Sequence, residues 1–198
     1  GLGYGILCYM PVKEGLSPEK THPAEHSSEH LNRLRAAVLG ANDGIVSTAA
    51  VVVGVAAATT SWQAVATAGL AALIGGAVSM ALGEYVSVSS QRDSEESIGV
   101  PKERRVNPWS AAVASFLSFL AGAALPFAAA VATPAAVRVA VIVAVTLVAL
   151  GVTGAASAKV GRANVFRSAV RLVVGGAAAI PASVPFRHLE GEQAGRPR

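Results

Sequence analysis

Between Gly44 and Gly83 the chain carries no charged side chain at all. Over its 198 residues only 14% are charged, where soluble domains average about 25%. Hydrophobic residues make up 53% of the chain and gather into long Ala, Val and Leu runs. That pattern excludes a disordered chain and argues against an ordinary soluble domain. Cysteine is nearly missing too. Cys8 stands alone, so no internal disulfide and no cysteine cage for a metal can form. The net charge of +4 is small and its basic residues sit in particular loops, which is loop bias rather than a nucleic-acid footprint. No nucleophile–base arrangement stands out, and the histidines lie in the leader or the tail. The chain therefore reads as a non-enzyme with no bound cofactor. Residues 1–10 are mildly apolar but short and lack a basic start, so they do not read as a cleavable signal.

What is present is a series of apolar runs. A window of about 20 residues places spans at 36–58, 64–88, 110–132, 135–158 and 163–180. The expected fold is an all-α membrane protein, a bundle of about five transmembrane helices in one domain, 35–180. A polar leader, 1–34, precedes it and a polar tail, 181–198, follows. Thr59-Thr60-Ser61-Trp62-Gln63 makes a short turn between the first two spans, and Thr133-Pro134 breaks the third from the fourth. A short polar connector, 91–108, joins the second to the third. Counting Lys and Arg sets the orientation. With the N-terminus cytoplasmic, twelve of the sixteen basic residues lie on the inner side, as the positive-inside rule requires. The fifth span is the weakest, because Pro181 and Pro185 interrupt it. In the leader, His22, His26 and His30 recur every four residues, a metal-binding spacing if helical. A solvated leader is the plainer reading, since Pro23 and the nearby Ser and Glu residues weaken a helix.

Two carboxylates sit inside these apolar runs. Asp43 lies in Leu39-Gly40-Ala41-Asn42-Asp43-Gly44-Ile45, about 10 Å along a helix axis from Ala36. Glu84 lies in Ser79-Met80-Ala81-Leu82-Gly83-Glu84-Tyr85, nearer the cytoplasmic end. A carboxylate at membrane depth costs roughly 2.5–3.5 kcal/mol on insertion scales, so such groups face a protein interior or a polar path. Helical spacing puts Met80 on the face of Glu84 and Ser47 on the face of Asp43. If those faces meet, the site offers two carboxylates, a thioether and oxygens from Asn42 or Ser47. Carboxylates alone suit Mg²⁺, Ca²⁺ or Mn²⁺, whereas a sulfur ligand shifts the preference toward Fe²⁺. Each has a plainer reading: Met80 as a gap-filler, Asp43 as a helix cap, Glu84 as an interfacial carboxylate. Asp93, Glu95 and Glu96 form an acidic cluster, a weaker candidate that reads first as a solvated charge run.

The run from Leu34 through Gly40-Ala41-Asn42-Asp43-Gly44 to Thr48 resembles the first span of the vacuolar iron transporter family. The run from Ser79 through Met80-Ala81-Leu82-Gly83-Glu84 to Asp93 resembles its second. The resemblance covers about residues 30–180 and implies a homodimer in the lipid bilayer that exports or sequesters Fe²⁺ or Mn²⁺ from the cytosol, in exchange for protons. It implies an ion path at the dimer interface, with Asp43 and Met80 as metal ligands and Glu84 beside them. The expected location is the cell membrane, or a vacuole-type membrane in a eukaryote. Storage-type members carry a long Glu- and Met-rich domain between the second and third spans. This connector retains only its acidic start, Asp93, Glu95 and Glu96, and so resembles the nodulin-like branch that lacks the domain. The last helix also departs from the family from Pro181 onward. These departures motivate the alternative, a non-transporting, truncated paralogue that serves as a membrane partner or scaffold.

Overall fold

A computed structural model describes residues 22–160 and 165–182. The remainder of the leader and the tail lies outside the described residues. Five helices follow in chain order: α1 (His22–Ala58), α2 (Trp62–Ser97), α3 (Pro108–Ala132), α4 (Arg138–Val160) and α5 (Val165–Ala182). The first four are long and apolar enough to cross a membrane. The fifth forms a helix of 18 residues, about 27 Å long at 1.5 Å per residue.

Local sequence explains the breaks. Ser61 stands before α2 in extended conformation, and its hydroxyl accepts from Ala64 N at 3.3 Å, capping the helix. Asn107 does the same for α3, accepting from Trp109 N at 3.0 Å, with Pro108 in the first turn where its missing N–H costs nothing. Thr133 ends α3 in extended conformation, as the residue before a proline prefers. The buried Arg138 then donates from Nε to Thr133 O at 3.1 Å, satisfying a carbonyl that the finished helix leaves open.

α3 is the centre of the bundle, packed most extensively on α1, then on α2, and also touching α4. Lipid offers no hydrophobic drive for helices to associate, so close packing must hold them. Gly44 supplies it on α1: a side-chain carbon there would run into the Phe119 backbone carbonyl of α3. One cluster, Ala49, Val52, Val53, Val65, Ala130 and Ile142, fills the end near the α1–α2 turn. Another, Ala36, Val88, Val106 and Ala111, fills the connector end.

Two helix boundaries depart from the hydropathy reading by more than three residues. α1 begins at His22, so the second part of the expected leader is helical rather than loose. Pro23 falls in the first turn, where proline is tolerated, and Ser110 of α3 donates to Glu29 at 3.3 Å. α2 runs on to Ser97, nine residues past the apolar stretch, helped by Gln91 donating to Glu95 Oε1 at 2.9 Å. Hydropathy marks where lipid ends, and a helix need not end there.

Candidate metal centre

Asp43 and Glu84 come from antiparallel neighbours, α1 and α2, which the short 59–61 turn folds against each other. Between them lies a cavity of 350 Å³. Leu39, Asp43 and Ser47 line it from α1; Gly76, Ser79, Met80, Gly83 and Glu84 line it from α2; Phe119 of α3 forms its floor. The spacing that put Asp43 with Ser47, and Met80 with Glu84, on shared faces thus corresponds to one cavity wall each. Ser79 and Gly83 are exposed on the outer side of α2, so the cavity opens onto that face.

Each acidic group is held differently. Asp43 lines the cavity and accepts from the Ser47 hydroxyl at 2.7 Å, one helical turn on, which fixes one of its two carboxylate oxygens. Glu84 is buried, and its Oε1 accepts from the Arg35 guanidinium at 2.6 Å. Met80 both lines the cavity and packs against the Ala77–Phe119–Ala123 cluster, so its packing role and its access to the cavity coexist. Its sulfur is the only soft donor among the lining residues. Gly76 keeps the floor open, since a side chain at that position would meet the Phe119 ring.

The weaker candidates divide. Ser47 is at the cavity. Asn42 is not among its lining residues, and its Oδ1 is buried without a hydrogen-bond partner among the described residues. Asp93 is exposed on the last turns of α2. Glu95 and Glu96 fold the connector back on itself. Glu95 Oε2 accepts from Val106 N at 3.0 Å, and Glu96 pairs with Arg105 at 2.9 Å. Arg105 Nε also donates to Val100 O at 2.9 Å, and Gly99 makes the reversal at φ 80°, where other residues are strained. These two carboxylates are therefore occupied away from the cavity. Of the spaced histidines, His30 is exposed on α1; the side chains of His22 and His26 lie outside the described residues.

Arg35 and Phe119 are the residues that sequence reasoning did not single out. Arg35 lies just outside the first apolar run and meets Glu84 across 49 positions, which no local spacing reveals. Among the described residues, no three His, Cys, Asp or Glu side chains gather closely enough to hold a metal. One chain thus offers two carboxylates, a thioether and two hydroxyls around the cavity, a set suited to a borderline divalent cation held loosely rather than caged.

Known proteins resemble this chain over most of its length. The VIT family model matches residues 34–99 and 95–186, two pieces that meet at the start of the short connector. Vacuolar iron transporter homolog 5 of Oryza sativa subsp. japonica is 46% identical over 158 residues, covering 75% of this chain and 76% of that protein. Vacuolar iron transporter homolog 1 of the same species is 48% identical over 156 residues, covering 72% and 67%. Vacuolar iron transporter homolog 2.1 of Arabidopsis thaliana is 38% identical over 197 residues, covering 84% and 89%. With apolar helices, a carboxylate-lined cavity and matches across most of its length, this multi-pass membrane protein belongs to the VIT family.

Proposed function

We propose that the chain carries Fe²⁺ or Mn²⁺ across the membrane through the α1–α2 cavity, out of the cytosol and against a flow of protons. The observation that carries this reading is that Asp43, Met80 and Glu84 line a single cavity, within a stretch from 36 to 91 that holds no other charged side chain. Carboxylates at membrane depth are costly to keep and are expected on ion paths. Protons and metal compete for the same oxygens, because a carboxylate must be deprotonated to bind. A metal bound from the cytosolic side would leave as Asp43 takes up a proton from the far side. The Met80 thioether favours Fe²⁺ over the harder Mg²⁺ and Ca²⁺. The relatives are named vacuolar iron transporter homologs, which supports iron as cargo and a vacuole-type membrane rather than the cell membrane first expected.

A homodimer is part of the proposal. Only 17% of the most apolar window of α2 is buried within one chain, against 39% for α1 and α3. Its outer face carries Ala71, Gly75, Ser79, Gly83 and Ser87 at four-residue spacing, all exposed. Small residues at that spacing let two backbones approach closely in lipid. Ser79 and Gly83 belong to both the stripe and the cavity wall, so a second copy docked there would close the cavity and add its own donors. The scaffold alternative loses much of its motive, since relatives covered over three quarters or more of their length carry transporter names.

The test is Fe²⁺ and Mn²⁺ flux into proteoliposomes under an imposed pH gradient, with the parent compared with Asp43→Ala. Flux that collapses by at least about tenfold in the variant is the expected result. Flux indifferent to the gradient would remove proton exchange. A folded parent that moves neither ion would return the scaffold reading.

A further inference from the structure

The pair between Arg35 and Glu84 is lopsided. The Glu84 side chain is 5% exposed and that of Arg35 54%, so a carboxylate in the cavity wall is neutralised by a cation that water still reaches. A second bond, from the same guanidinium nitrogen to Asn32 Oδ1 at 3.2 Å, holds Arg35 on the exposed side. Arg35 precedes Asp43 by about 12 Å along α1, and Glu84 follows Met80 by about 6 Å along α2, at 1.5 Å per residue. The ion pair therefore stands at the connector end of the cavity, with Asp43 and Met80 deeper inside.

Charge decides what must happen when a divalent ion enters. With both carboxylates ionised, the cavity holds −2 and Arg35 brings it to −1. A divalent ion added with Arg35 in place makes +1; with Arg35 withdrawn, the sum is zero. Charges at membrane depth interact far more strongly than in water, so the neutral arrangement is favoured. Charge and not coordination makes this demand, because only Glu84 Oε1 accepts from Arg35 and a carboxylate has a second oxygen. Withdrawal is easy for a long side chain with half its surface already in water.

We propose that Arg35 is a tethered competitor for the transported cation at Glu84. Its guanidinium occupies Glu84 when the cavity is empty, is displaced as the ion arrives, and returns as the ion moves on to Asp43 and Met80. The proposal rests on the reading of the cavity as the ion path. Its consequence is kinetic as much as thermodynamic: binding must be weak enough for the ion to leave, and a returning guanidinium keeps the site from becoming a trap. Arg35 acts through Glu84 and is a positioning residue.

The experiment is a Mn²⁺ titration by calorimetry of the full chain in detergent. Arg35→Gln is expected to tighten Mn²⁺ binding by about tenfold, because the competing charge is gone. Arg35→Met, which keeps the apolar stem, carries the same expectation, and Arg35→Lys, which keeps the charge, stays near the parent. In a Glu84→Gln background the Arg35→Gln change should have no effect, since the two residues then no longer couple. A structural role alone would weaken binding on loss of Arg35, never tighten it. Unchanged or weaker binding in either neutral variant, with helix content and elution like the parent's, would overturn the proposal. So would equal tightening with Glu84 already replaced. Undiminished binding in Asp43→Ala would instead overturn the ion-path reading beneath it.

Discussion

Replacing Gly44 by alanine tests a close backbone approach between α1 and α3. A methyl group there would fall on the Phe119 carbonyl oxygen, with the carbonyl carbon and Cα of Phe119 at 3.0 Å. Ordinary contacts lie at 3.4–4 Å, so α1 and α3 must part by several tenths of an ångström or more. The obstructing atoms are backbone, and no rotamer change relieves them. A gap of about 0.5–1 Å forfeits a quarter to a half of each dispersion contact along the largest interface in the fold. Overpacking of this kind costs about 1–3 kcal/mol. Against it stands the better helix propensity of alanine, worth about 0.5–1 kcal/mol. The steric cost outweighs the gain in propensity, leaving a net loss of about 1–2 kcal/mol. At about 2–4 °C per kcal/mol for a chain of this size, the thermal midpoint in detergent should fall by about 2–8 °C. Gly151→Ala is the control: it too is a helical glycine, but nothing lies within 4 Å of the added carbon, so its midpoint should hold or rise. A Gly44→Ala midpoint equal to that of Gly151→Ala would refute the close approach of α1 and α3.

Gly83→Leu places a bulky side chain on the exposed small-residue stripe, where a single chain has open space. It should leave the monomer folded and shift the oligomer toward monomer in light scattering; an unchanged dimer would move the interface elsewhere. Glu84→Gln leaves a guanidinium that is already half in water, so stability should change by less than about 1 kcal/mol while metal flux falls severely. A large drop in thermal midpoint with normal flux would make Glu84 structural. Glu95→Ala strips the buried Val106 N–H of its acceptor, a loss of about 1–3 kcal/mol confined to the connector. Amide exchange should speed up across 98–107 with flux retained; unchanged exchange there would show that the turn does not depend on Glu95.

Sequence alone determined the class of molecule and picked out the candidate site residues. Uncharged apolar runs of about 20 residues suit helices in lipid, because a helix bonds every backbone group within its own segment. That fixes where α1 to α4 lie, and Thr133-Pro134 and Asn107-Pro108 mark breaks by local backbone sterics. Asp43, Met80 and Glu84 could also be singled out as candidates, since a carboxylate in such a run is conspicuous and i,i+4 spacing assigns helix faces. Spacing assigns a face without saying what the face meets. Only the tertiary structure decided that the faces of Asp43 and Met80 turn toward each other over Phe119, because that depends on how Gly44 lets α1 settle on α3. Only it showed Arg35 on Glu84, a pairing across 49 residues. It likewise decided that Glu95 and Glu96 tie the connector together, and that α1 and α2 outrun their apolar stretches. Hydropathy and periodicity are properties of one helix at a time; a site made where two helices cross is a property of their packing.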